Sequence, residues 1–234
     1  MRITYPIAID NRFAIWRGLN NHYWPALYFV DTQGRIRGHH FGEGAYERSE
    51  RIIQQLLADA GVGEVDRALV AVEGQGLEAA ADWDNLQSPE TYLGYERAEG
   101  FGSPGGLAEG MRRVYAAPAH LHRNQWALAG EWTVEQQPAL LHEADGRIAY
   151  CFHARDLHLI LGPAVRGTSV RFRVRLDGRA PGEAHGSDVD AAGQGTVTEQ
   201  RLYQLIRQPG PILDRQFEIA FLDPGVEAFA FTFG

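Results

Sequence analysis

The chain carries one cysteine, Cys151, and nine histidines, and any redox or metal chemistry has to begin with these side chains. One thiol makes no intrachain disulfide, no Cys-x-x-Cys redox pair and no four-cysteine zinc site. Cys151 lies between Tyr150 and Phe152, and His153, two residues on, shares its face in an extended strand. Such a Cys–His pair can make a reactive thiolate, but an inert thiol is the commoner state of a cysteine flanked by aromatics. His39 and His40 are adjacent in an extended stretch, so they point to opposite faces and cannot chelate one ion together. His120 and His122 can share a face, yet no carboxylate or thiol stands at ligand spacing from them. Asp188 and Asp190 precede Gly193 and Gly195, but the alternating ligand ladder and closing glutamate of an EF-hand are missing, so a hairpin loop is expected. These spacings imply no metal site and no cofactor.

A second chemistry open to the chain is stacking on a sugar ring. Trp126, Trp132, Tyr150 and Tyr203 have the rings for it, and Arg155, Asp156 and Gln204 have the polar groups that hydroxyls require. A glycan is thus one candidate ligand, held by Trp126, Trp132, Tyr203 and Arg155. The competing expectation is that these aromatics fill a core, as large rings normally do.

Composition narrows the classes further. The chain has 234 residues and a formal charge of −8, and all 22 basic residues are arginines. An acidic balance argues against nucleic-acid binding, which needs clustered positive charge. Without lysine there is no Schiff-base catalysis and no Walker-loop lysine. No apolar run is long enough to span a bilayer, and the first residues lack the apolar core of a secretion signal. No nucleophile–base–acid set is fixed by spacing, which leaves a hydrolase reading weakest.

The elements that must position these groups begin at Asn21–Gly44. Ala26 to Val30 is apolar without alternation, Asp31 to Gly34 is a tight turn, and Arg35 to Phe41 is a more polar returning strand. A helix follows, with Tyr46, Ile53, Leu56, Leu57 and Ala60 on one stripe and Gly61 as its stop. Ahead of the hairpin, Ile3 to Ile9 reads as a short strand, and Asp10 and Asn11 can cap a helix over Arg12 to Leu19. Val65 to Glu73 can hold a strand and Leu77 to Asp82 a helical turn. Gln87 to Gly106 reads as an ordered loop with buried aromatics. From Gln125 onward, short strands alternate with turns: 125–130, 132–134, 139–142, 147–153, 157–162, 169–176, 195–197, 203–206, 216–222 and 228–233. That rhythm predicts an antiparallel β-sandwich. Arg171 to Leu176 alternates strictly, arginine outside and apolar residues inside.

Tyr5 to Asp10, Trp24 to Asp31 and Gly34-Arg35-Ile36 resemble the redoxin module of DipZ-type and TlpA-like thiol-disulfide oxidoreductases, and the resemblance extends over essentially the whole chain. It implies an α+β chain in which a truncated thioredoxin-like β-β-α half precedes a jelly-roll-like sandwich of the carbohydrate-binding-module type. The implied divisions are 1–61, a connector at 62–106, and 107–234. Trp24 and Pro25 would form the substrate-side loop, with Pro25 as the family's cis-proline. The family's two cysteines have no counterpart, so dithiol exchange by this chain alone is not expected. The alternative is a noncatalytic binding protein whose sandwich recognises glycan or another protein. The implied partners are a protein thiol or disulfide or a glycan, and on the bare edge of the 26–30 strand a second copy, the C-terminal domain or a complementing chain. A sequence that simply starts late also explains the missing β-α-β segment. The family resemblance implies an extracytoplasmic location.

Overall fold

Asp10 starts the first helix from outside it. In the computed structural model, which describes residues 5–10, 13–42, 44–70 and 80–234, its carboxylate accepts the backbone N–H of Ala14 at 2.7 Å and of Trp16 at 2.9 Å. Those donors have no partner within the helix, so a carboxylate satisfies them and also faces the positive end of the peptide dipoles. The helix, α1 (Ala14–Gly18), is shorter than the run from Arg12 to Leu19. Asn11 and Arg12 lie outside the described residues, as do Ile3 and Thr4 of the expected first strand. Residues 5–9 form no strand.

The hairpin forms where its pattern places it. β1 (Ala26–Val30) and β2 (Ile36–Phe41) pair antiparallel from Ala26↔Phe41 to Val30↔Ile36. Asp31 closes the turn, accepting the N–H groups of Gln33 (2.9 Å) and Arg35 (3.0 Å) and the side chains of Arg35 and Arg37. Helix α2 (Tyr46–Asp59) follows. Its end is a Schellman arrangement: Gly61 turns left-handed at φ 70°, Gly61 N–H reaches Ala58 and Val62 N–H reaches Leu57. The expected buried stripe of α2 is corrected, because Tyr46, Ile53 and Leu57 are exposed. Leu56 of that stripe is half-buried, as is Ile52, and Ser49 is buried. With Phe29 as the fully buried apolar side chain among its described residues, this unit (Met1–Val72) has little core. Residues 65–70 are not a strand; they lie along α2, where Gln54 donates to Ala68 and Glu50 accepts from Val70. Residues 71–73 of that expected strand, and 77–79 of the expected helical turn, lie outside the described residues.

The second unit, Glu73–Gly234, is built from eleven strands: β3 (Thr91–Tyr92), β4 (Arg112–Tyr115), β5 (Trp126–Val134), β6 (Ala139–Leu141), β7 (Arg147–Phe152), β8 (Asp156–Pro163), β9 (Val170–Leu176), β10 (Gln194–Val197), β11 (Arg201–Arg207), β12 (Arg215–Phe221) and β13 (Val226–Phe233). They form one antiparallel sheet in the order β10-β9-β12-β7-β5-β6-β13-β8-β11, with β3 on β13 and β4 on β5. β5 is the hinge of this order. Its first half pairs with β7 and its second half with β4 and β6. The crease falls at Gly130, whose φ is 94° and where an added Cβ would lie 2.9 Å from the Cα of Gly146. Only glycine fits a left-handed residue at such a close approach.

The sheet curls about this crease and closes its apolar face on itself. Phe217 on β12 meets Phe231 on β13 at 6.0 Å, Tyr150 on β7 meets Phe231 at 4.9 Å, and Phe172 on β9 meets Tyr203 on β11 at 6.5 Å. The strict alternation of β9 is realised: Val170, Phe172, Val174 and Leu176 are buried and the arginines between them exposed. Residues 87–106 do pack as an ordered loop. Leu93 is fully buried and Phe101 sits between Tyr115 and Trp126 at 5.6 and 4.7 Å. Thr91 and Tyr92 of that loop pair with β13, so the loop also contributes a strand. The outer edge of β11 is covered by its own chain, with Gly186 N–H on Leu205 and Asp188 N–H on Gln204, which is how proteins protect sheet edges from stray pairing.

Candidate functional site

Asn21 organises the approach to the hairpin. It is buried; its amide donates to the Tyr23 carbonyl at 2.9 Å, and its side-chain oxygen accepts from Tyr23 N–H and from the Tyr28 hydroxyl at 3.1 Å. The turn so made delivers Trp24 and Pro25 at the head of β1. The Trp24–Pro25 peptide is cis. Trp24 is 78% exposed and touches Trp16 edge-on at 5.2 Å. Its neighbour in sequence, Tyr23, belongs to an aromatic stack: Phe41 stacks on Tyr23 at 4.7 Å and on His39 at 4.5 Å.

The backbone of β1 has one side in use. The Pro25 carbonyl accepts from Gly42 N–H on the β2 side. Antiparallel pairing alternates, so the N–H and C=O groups of Ala26 and Tyr28 point away from β2. Among the described residues no strand pairs with that side. β1 contains no charged residue, and Leu27 and Val30 are 40% and 50% exposed. An uncharged edge with free donors and acceptors can accept an extended strand.

The second unit places the other candidates in its interior. Trp126, Trp132 and Tyr203 are each 0% exposed, so the expectation that they form a sugar platform is corrected. Trp126 donates to the Glu99 carbonyl at 2.8 Å and Trp132 to that of Ala129 at 2.9 Å. The Tyr203 hydroxyl donates to Glu199 O and accepts from Thr198 N–H, while Arg201 lies over its ring at 3.8 Å. Tyr150 is buried with them, its hydroxyl 2.9 Å from Thr91 Oγ1. Each polar tip is satisfied internally, which is what allows such rings to be core residues.

Arg155 is equally committed. It grips Asp156 through Nε (2.9 Å) and a terminal nitrogen (2.7 Å) and donates to the Ala80 carbonyl at 2.6 Å. Arg207 holds the same carboxylate at 2.6 and 3.0 Å, and Gln204 adds an amide at 3.3 Å. The groups that could meet sugar hydroxyls meet one another. This node was not legible in the sequence, because Asp156 and Arg207 are joined only by the β8–β11 pairing.

Cys151 is 4% exposed. Burial pushes its thiol above the ordinary value, and the nearby carboxylates of Asp214 and Asp177 push the same way, the opposite of what an attacking thiolate needs. His153 does not partner it: the ring nitrogen Nδ1 contacts Asp214 at 2.6 Å. His158, which nothing in the spacing singled out, has a pKa held below the ordinary value by burial. Its Nε2 is enclosed without a partner. Asp188 takes Arg201 and Gln204 N–H, and Asp190 caps Gln194 N–H, so both are spent on closing the loop. Among the described residues no three His, Cys, Asp or Glu side chains are grouped to hold a metal ion, and no helix is long and apolar enough to cross a membrane.

Comparison with known proteins places this geometry. The family model described as thioredoxin-like C-terminal domain matches residues 88–234. Protein DipZ of Mycobacterium bovis (strain ATCC BAA-935 / AF2122/97) and Protein DipZ of Mycobacterium tuberculosis (strain CDC 1551 / Oshkosh) are each 36% identical to the chain over 169 residues. The matched stretch is 72% of this chain and 24% of each relative, so the chain spans about a quarter of their length. A matched region that takes in the whole curled sheet from β3 to β13 settles the family: the chain belongs to the thioredoxin-like C-terminal domain family and is similar to the DipZ proteins.

Proposed function

We propose that this chain supplies the substrate-facing side of a thiol–disulfide exchange site and that the reacting dithiol comes from elsewhere. The observation that carries this reading is that, among the described residues, no strand pairs with the outer edge of β1 beside the exposed Trp24. In this reading residues 1–61 are a thioredoxin-like β-β-α half, 62–106 connect it onward, and 107–234 are a jelly-roll-like sandwich. An extended segment of a protein thiol or disulfide lies along β1, bonded to the backbone of Ala26 and Tyr28, with Trp24 and Pro25 against its reacting residue. Exchange needs one thiolate to attack the disulfide sulfur and a second thiol to release the mixed disulfide. The chain has a single, buried cysteine, so both sulfurs must belong to a complementing segment or a second polypeptide, placed outside the cytoplasm as in DipZ-type proteins. Glycan recognition through Trp126, Trp132 or Tyr203 forms no part of the proposal, since their faces are enclosed.

Two measurements test it. With dithiothreitol as reductant, the Cys151→Ser chain is expected to reduce insulin no faster than dithiothreitol alone; turnover by that variant would overturn the division of labour. An extended, cysteine-containing peptide is expected to bind the full chain and to bind Trp24→Ala about tenfold more weakly, the loss typical of an aromatic anchor. Equal affinity for both chains would remove the substrate loop from the reading.

A further inference from the structure

The outer face of β9 carries Arg171, Arg173 and Arg175 at alternate positions, so their stems leave the strand about 7 Å apart. The carboxylates around this row are engaged by groups other than Arg173 and Arg175. Asp223 forks Arg171 at 2.9 and 2.7 Å. Glu218 lies directly across from Arg175 in the β9–β12 register, yet it accepts from Arg147 at 3.2 Å. Asp177 takes Arg215 at 2.6 Å, and Asp190 takes the backbone N–H of Gln194 at 2.7 Å. The cross-strand neighbours of Arg173 are Ala220 and Gln194, neither of them charged.

Arg173 and Arg175, both exposed, therefore have no ion-pair partner among the described residues. That is unexpected in a chain with 30 acidic and 22 basic residues. Arg173 and Arg175 line a concavity of about 360 Å³ together with Gly178, Ala180, Ala192 and Gln194. Two cationic side chains among small neutral residues and one amide suit discrete carboxylates, to which guanidinium donates two parallel hydrogen bonds. A continuous anionic surface fits less well, because Asp177, Asp190, Glu218 and Asp223 surround the row.

We propose that this face binds an extended acidic segment of a partner protein, with carboxylates two residues apart seated on Arg173 and Arg175. An extended segment repeats its side chains at the spacing of β9 itself. A free dicarboxylate offers the same chemistry from a different source.

The test is fluorescence polarisation of a labelled peptide alternating threonine and glutamate, titrated with the full chain at low salt, with glutarate and phosphatidylglycerol vesicles as separate arms. Saturable peptide binding is expected, weakening as salt rises. The Arg173→Gln/Arg175→Gln double variant is expected to bind at least about tenfold more weakly at an unchanged melting temperature. Arg171→Gln should lose less, because its fork is already filled. Displacement by glutarate at matching concentration would keep the carboxylate chemistry and move its source to a small molecule. Absence of saturable binding, equal affinity of the double variant, or binding to vesicles instead of the peptide would overturn the proposal.

Discussion

Asp156 gathers two arginines and an amide onto one buried carboxylate, and its backbone N–H also holds the Gly234 carbonyl at 2.8 Å. Neutralising the shared carboxylate removes the buried acceptor of several charge-assisted hydrogen bonds, while the two guanidiniums, 26% and 29% exposed, keep some access to water. Asp156→Asn is expected to destabilise the sheet unit by about 2–3 kcal/mol, seen in urea unfolding as a lower midpoint with an unchanged slope. Asp31 and Asp223 titrate in the opposite regime, at the surface. The Arg35 backbone N–H holds Asp31 down to about 2 from 3.8, with Gln33 N–H and the Arg35 and Arg37 side chains adding to it. The Arg171 side chain does the same for Asp223, also to about 2. Each carboxyl has a folded pKa below its unfolded one. Its contribution is therefore complete above about pH 4 and is lost as pH falls towards 2, where the unfolded chain takes up the proton first. Carboxyl NMR titration should give both groups midpoints near 2, and Asp31→Asn should flatten the acid limb of hairpin stability. Midpoints near the ordinary 3.8 would contradict the geometry.

At the level of elements, the crease in β5 depends on two glycines meeting. A Cβ at position 130 would need a left-handed φ and would press on the Gly146 backbone. Gly130→Ala is expected to cost about 2 kcal/mol or more, visible as a lowered melting temperature with the native spectrum retained. Much of this layer was legible in the sequence. β9 declares itself by alternation, the β1–β2 turn by Asp31 and Gly34, and the stop of α2 by Gly61. Other features were not legible, for identifiable reasons. β3 and β4 are two and four residues long, too short to show a period. The apolar stripe of α2 follows from residue type, but burial is decided by what packs against a face, and Ile53 and Leu57 are about half exposed in the folded unit. The aromatics Trp126, Trp132 and Tyr203 suit a platform and a core equally well until their carbonyl and hydroxyl partners are seen.

Across the whole molecule, the two units differ in how much they bury. The sheet unit has a continuous core of large side chains, whereas the hairpin unit has Phe29 with Asn21 and Ser49. A chain beginning at Ala80 is expected to unfold cooperatively with the midpoint of the full chain's sheet unit, since Arg155 and Asp156 retain their partners. Residues 1–72 alone should show a weak, broad thermal transition by circular dichroism. A sharp transition for the latter would mean that the open β1 edge is better supported than its burial implies. Strand order has a further consequence. β13 lies between β6 and β8 and also receives β3, so the middle of this part of the sheet is filled by the strand that comes last in the unit. Until Val226–Phe233 docks, one side of β8 and the N–H of Leu93 lack the backbone partners they have in the folded unit, and a half-formed sheet with such an open edge is prone to stray pairing.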